Sequence, residues 1–202
     1  MKLYNKKDDI FNLLLLIILP NMAVPFLGIL TLVVLNLDND INSLISTLIT
    51  MFLSFVIIPY ILIKKLYNIN ITYLGIKKLK PIEISFYIFI ICIFEFYLLY
   101  KKYSFEPLLI LSVQTTIVAL TEEFWARGIL FYLLKKILNK KWSIILVDAL
   151  IFTFITHINE PFIDNLIYRL PGSILMAFVY SRKEKLIDSI LIHFILNMIA
   201  YY

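Results

Sequence analysis

A chain of 202 residues that is 61% hydrophobic and only 16% charged carries too much Ile, Leu and Phe for one core wrapped in a polar surface. With a mean hydropathy of +0.90 it needs lipid as part of its solvent. The formal net charge of +5 does not indicate a nucleic-acid partner, because the basic residues stand in short clusters between apolar stretches. Cys92 is the only cysteine, which excludes a disulfide framework and a cysteine metal cluster. It lies in an apolar run and reads as an inert core or lipid-facing residue.

A span needs about 20 apolar residues, and seven candidates follow one another along the chain. The first, residues 10–37, resembles a signal peptide because Lys6 and Lys7 precede it. No small-residue cleavage site follows, and the apolar character continues through Pro20 and Pro25, so it reads as a retained span. The second covers 41–63 and the third 82–100, with Leu74-Gly75-Ile76 in the linker between them. The fourth covers 107–134, the fifth 142–157, the sixth 162–180 and the last 186–202. The fifth and last are short, as protein-buried or oblique helices are. In the sixth, Arg169 precedes Pro171-Gly172, a kink signal. There is no internal repeat. The expected fold is an all-α, polytopic transmembrane helix bundle of about seven spans. It forms a single membrane domain over 1–202, with N-terminal spans in 10–100 and a catalytic helical core in 107–199.

The basic residues predict the orientation. Lys2, Lys6 and Lys7 precede the first span, and Lys64, Lys65, Lys77, Lys78 and Lys80 separate the second from the third. Lys135, Lys136, Lys140 and Lys141 follow the fourth, and Arg182, Lys183 and Lys185 follow the sixth. These are alternate loops. The opposite loops hold Asp38, Asp40, Glu106 and Glu160, with Lys101 and Lys102 against the trend. The reading is a multi-pass protein of the cell membrane, N-terminus cytoplasmic and C-terminus outside.

Ionisable residues inside spans are costly and therefore paired or functional. The fourth span contains Glu122-Glu123-Phe124-Trp125-Ala126-Arg127. Glu122 lies about 22 Å along the helix axis from Pro107, near mid-membrane. Glu123 and Arg127 are one turn apart and share a face, which reads as an internal ion pair. Glu122 points about 100° away, a carboxylate aimed elsewhere. All three could equally form a structural network. The two histidines, His157 and His193, both fall in or beside spans, and Asn197 shares a helix face with His193. Each alone reads as well as a core residue. Together with Glu122 they suggest a polar pocket in an apolar bundle. Two chemistries suit the set. In one, a carboxylate takes a proton from water, a neighbouring His positions that water, and a His/Asn pair donates to the oxyanion. In the other, Glu122, His157 and His193 ligate zinc. Asp148, Arg169 and Glu95 read as pairing with each other or with backbone.

Glu-Glu-x-x-x-Arg on one membrane helix, a His closing the next and His-x-x-x-Asn on the last resemble the CPBP family. It comprises CAAX prenyl endopeptidases and bacterial bacteriocin-processing and immunity proteins, also labelled Abi. The likeness runs from about Pro107 to Ile199 and includes Tyr180-Ser181-Arg182-Lys183 and Asp188-Ser189-Ile190 ahead of His193. Leu74-Gly75-Ile76 is similar to a weaker family feature. The resemblance implies that Glu122 activates water with His157, that His193 and Asn197 form the oxyanion site, and that Glu123 with Arg127 holds the helix. It implies no cofactor on the glutamate mechanism, and zinc on the alternative. Where the family commonly has Phe four residues before the second-motif His, this chain has Thr153, with Phe152 and Phe154 beside it. The depth of His157 near the end of its span predicts that Asn159-Glu160-Pro161 dips into the protein.

The expected function is therefore an intramembrane endopeptidase acting on a membrane-associated peptide or protein, with the lipid bilayer as its other partner and no nucleic acid. The alternative is a non-catalytic bacteriocin-immunity protein on the same fold. An ion or proton carrier would also use buried acids and His, but repeat symmetry is missing. Prenylated substrates are the eukaryotic role of the family. The Ile-, Lys- and Asn-heavy composition is that of an AT-rich bacterial genome, so the expected substrate is a bacteriocin, a signalling peptide or a membrane-protein tail.

Overall fold

The computed structural model describes residues 6–34, 40–101 and 104–200. Lys2, Asp38 and Lys102, and the expected span ends at 37 and 202, lie outside them. The described residues form seven helices and no strand, an all-α bundle. They are α1 (Lys6–Val34), α2 (Ile41–Tyr67), α3 (Pro81–Tyr100), α4 (Phe105–Ile137), α5 (Lys141–Ile151, continued by Phe152–Thr156), α6 (Phe162–Lys183) and α7 (Leu186–Ala200). All but α5 and α7 are long and apolar enough to cross a membrane, and those two are the elements expected to be short.

Four helices carry a stretch of π geometry, in which one extra residue is accommodated in a turn. These are Phe52–Ile57 in α2, Phe124–Leu130 in α4, Phe152–Thr156 closing α5 and Asn165–Arg169 in α6. The last sits just before Pro171, whose ring removes an amide donor and forces the helix to adjust. Pro20 acts similarly in α1. It cannot donate to the carbonyl of Leu16, and the indole Nε1 of Trp125 donates to that oxygen instead at 2.8 Å. In an apolar medium a stranded carbonyl costs several kcal/mol, so this bond ties α1 to α4 at the level of the paired acids.

The core is assembled around α4. Trp125, Ile129, Leu130 and Leu133 are fully buried, against Leu16 of α1 and Phe55 of α2. By contrast α3 buries only Leu98 and presents the rest of its surface outward, Cys92 included.

The helix ends sort by charge. Tyr67 at the end of α2 donates to Asp9 of α1 at 2.6 Å and accepts from Asn12 at 2.9 Å, with Lys136 of α4 over its ring at 5.0 Å. Lys135 pairs with Glu184, Lys185 pairs with Glu83 at 2.6 Å, and Lys77 donates to the carbonyl of Lys183 at 2.8 Å. The start of α1, the end of α2, the following linker, the start of α3, the ends of α4 and α6 and the start of α7 thus meet at one basic end.

The irregular segment that enters the protein is the 68–80 linker, not Asn159-Glu160-Pro161, which stays exposed. Its 3-10 turn Ile71–Leu74 buries Leu74 completely. Gly75 follows at φ +87°, where a Cβ would stand 2.8 Å from the Tyr180 ring. The Gly75 carbonyl accepts from the Leu186 amide at 3.1 Å, which seats the start of α7. Leu74 presents its carbonyl to Gly128, 3.0 Å from where a Cβ would be, so the linker packs directly under the π stretch of α4. The expected dip does not occur and is not needed. At 1.5 Å per residue Lys141–Thr156 rises about 24 Å from the basic end, close to the rise of about 22 Å from Ile137 back to Glu122 on α4.

Candidate active site

Glu122 and Glu123 close the regular part of α4, and the π stretch starts at the next residue. Both carboxylates are buried, Glu123 completely. The expected i, i+4 pair forms, with Arg127 Nη1 3.2 Å from Glu123 Oε1. It is not self-contained. Arg127 Nε lies 3.5 Å from Asp148 Oδ2 of α5, and Nη2 donates to the Ser173 carbonyl at 3.0 Å and hydroxyl at 2.9 Å on α6. One guanidinium therefore joins α4, α5 and α6, and Asp148 pairs with Arg127 rather than with Arg169, Glu95 or backbone, the partners expected from the sequence. Arg169 pairs with Glu160 at 3.2 Å.

His193 of α7 lies against both acids. Its Nδ1 is 3.0 Å from Glu123 Oε1, a hydrogen bond, and its Nε2 is 3.6 Å from Glu122 Oε2, beyond one. Glu123, already paired with Arg127, is an acceptor, so the proton of that bond sits on Nδ1. Glu123 thus does more than hold its own helix, because it also orients the imidazole. The sequence expectation placed His157 beside Glu122, whereas the imidazole that faces Glu122 is His193.

His157 lies across a shared aromatic ring. Phe152 packs edge-on against His157 at 5.7 Å and against His193 at 5.6 Å, and the Arg127 guanidinium covers its face at 4.5 Å. Phe152 and His157 are five residues apart, the repeat that π geometry aligns on one face. The expected departure at Thr153 is thereby absorbed. The π turn brings Phe152, rather than the residue four before, onto His157, while Phe154 stacks on Phe162 at 5.2 Å. The backbone of His157 is held by Asn165, whose amide donates to its carbonyl at 2.8 Å.

A cavity of about 530 Å³ brings His157, His193 and Asn197 together. Phe152 and Met176 form its floor, and Glu160, Asp164 and Tyr168 stand at its exposed rim. Neither the Asn197 amide nor the ring nitrogens of His157 bond to protein among the described residues. Glu122 does not line the cavity itself, but its carboxylate, 7% accessible, lies 3.6 Å from the Nε2 of His193, which does. Glu122, His157 and His193 do not close into a ligand set. Among the described residues no three His, Cys, Asp or Glu side chains gather as a metal site requires.

Residues 104–199 match the family model described as type II CAAX prenyl endopeptidase Rce1-like. This segment is similar to the Rce1-like family. It begins at the start of α4, ends within the last turn of α7, and contains every site residue named above. The match covers a little under half of the chain, and together with the long apolar helices it fits a membrane protein similar to CAAX-type intramembrane proteases over that segment. No curated protein and no solved structure matched the chain. Within the Rce1-like segment, sequence reasoning missed Phe152, Asn165, Ser173 and the bond between Glu123 and His193. The aromatic next to Thr153 was the one available signal.

Proposed function

We propose that this protein is an intramembrane endopeptidase that hydrolyses a peptide bond with a glutamate-activated water. The observation that carries the reading is the triad of contacts from Arg127 to Glu123 to His193, which leaves Nε2 of a fixed imidazole beside the second, uncommitted carboxylate of Glu122. Glu122 takes a proton from a water held against His193. The hydroxide attacks the scissile carbonyl in the cavity, and the C–N bond breaks as the proton returns to the leaving amine. Asn197 and His157 face the same space with free polar atoms and donate to the oxyanion. In this assignment the two histidines exchange the roles that the resemblance implies. Glu123 and Arg127 are positioning residues, with Asp148 and Ser173 behind them.

The substrate we propose is a membrane-associated peptide or protein tail. The cavity supports this, because its wall mixes polar groups with Leu196, Ile199 and Tyr168. The test is to incubate the protein in detergent with peptide libraries and identify new termini by mass. Cleavage by the intact protein and none by Glu122→Ala supports the reading. Cleavage by both, or by neither, overturns it.

A further inference from the structure

The helix ends carry information that the chemistry of the site does not use. Apart from Lys101, at the far end of α3, the described clusters of basic residues gather at one end of the bundle, tied together by Lys135 to Glu184, Lys185 to Glu83, Lys77 to the Lys183 carbonyl and Lys136 over Tyr67. Clusters of Lys and Arg in short loops stay on the cytoplasmic side of a membrane. The cavity belongs to the other end. Its rim is Glu160 in the α5–α6 turn, Asp164 and Tyr168 in the first turns of α6, and Ala200 at the end of α7, all exposed. Its floor is Phe152, Met176 and His193, each under 5% exposed. Below that floor, toward the basic end, the Arg127 network and the Leu74–Gly75 linker fill the bundle. There is therefore an open path to His193 from the end opposite the lysines, whereas the smaller cavity of about 220 Å³ on the lysine side, between Lys77, Lys185, Leu120 and Phe124, does not include His193 in its wall.

We propose that the site is loaded from the extracytoplasmic side, so that its substrate is a peptide segment displayed outside the cell or lying in the outer leaflet. The proposal rests on the reading of this site as a peptidase for its substrate, but the direction of access is a separate property of the fold. The rim fits such a segment. Glu160 and Arg169 form an exposed ion pair that a polar backbone can approach, and Leu196 and Ile199 of α7 offer an apolar wall toward lipid.

The test uses the whole protein in a Cys92→Ser background with single cysteines at Asn197, at Leu196 as a second cavity position, at Glu160 on the rim and at Glu184 on the basic end. A charged, membrane-impermeant thiol reagent is applied to intact cells and to inverted vesicles. Expected is complete labelling of Glu160→Cys and of at least one of Asn197→Cys and Leu196→Cys in intact cells, with Glu184→Cys labelled only in inverted vesicles. Labelling of the cavity cysteines from the inverted side alone overturns the proposal, as does their silence from outside while Glu160→Cys reacts. A second arm adds a water-soluble peptide library to sealed vesicles of each orientation. Cleavage confined to right-side-out vesicles supports outer loading, and cleavage confined to inverted ones refutes it. Absence of cleavage in both orientations and in detergent counts against the peptidase reading and leaves the labelling result to decide access.

Discussion

Arg127→Met should destabilise the protein more than either single acid change, because one guanidinium serves two buried carboxylates. It lies 3.2 Å from Glu123 and 3.5 Å from Asp148, and donates to the Ser173 carbonyl and hydroxyl. Stripping one partner from a buried ion pair costs about 3–5 kcal/mol. For a chain of this size that is a fall in Tm of roughly 6–20 °C, and Arg127→Met should lie in the upper part of the range. Glu123→Gln should cost less, since Arg127 keeps Asp148. The decisive comparison is among combined variants. In an isolated Glu123–Arg127 pair, Glu123→Gln with Arg127→Met would leave no lone charge and restore stability. In the three-helix network it still strands Asp148, and recovery requires Asp148→Asn as well. Thermal melts of the purified protein in one detergent read all four variants. A double variant that melts with the wild type would refute the network, as would an Arg127→Met that melts no lower than Glu123→Gln.

Three further outcomes follow from the site and its supports. Exhaustive chelation should leave peptidase activity unchanged, since Asn197, on the cavity wall with His193, suits an oxyanion donor; loss on chelation with recovery on added zinc would reverse that assignment. Gly75→Ala should destabilise by about 1–2 kcal/mol from its left-handed backbone alone, with more from the approach to Tyr180, read as a lower Tm; an unchanged Tm would mean the linker does not seat α7 as described. Phe152→Leu nearly conserves apolar volume, so its stability cost should stay below about 1.5 kcal/mol. It removes the ring shared by the two imidazoles, so turnover should fall well beyond what the melt explains, and wild-type turnover would remove Phe152 from the site.

The parts of the fold that the sequence made legible are those written in composition and charge. Seven apolar stretches separated by alternate basic loops predict the seven helices and the gathering of their lysines, and Glu123 with Arg127 one turn apart predicts their pair. The π stretches were not legible, because one extra residue in a turn leaves no mark on a helix buried on every side, as 124–130 is. One misreading traces to them, and a second to the relative depth of two helices. Phe152 looked out of register with His157 until the π turn aligned residues five apart. His157 looked too far from His193 in depth, yet both line one cavity while Asn159-Glu160-Pro161 stays exposed, and it is the 68–80 linker that packs inward at Leu74 and Gly75. The contact of His193 with both acids depends on where α7 stands beside α4. That is set in part by a backbone bond from Leu186 to Gly75, invisible in any local pattern.

Glu122→Gln tests the central claim most directly. The change is nearly isosteric and touches no partner of Arg127, so the account predicts an unchanged melting temperature and loss of peptide hydrolysis by the purified protein. Hydrolysis at the wild-type rate by a Glu122→Gln protein that melts with the wild type would contradict it.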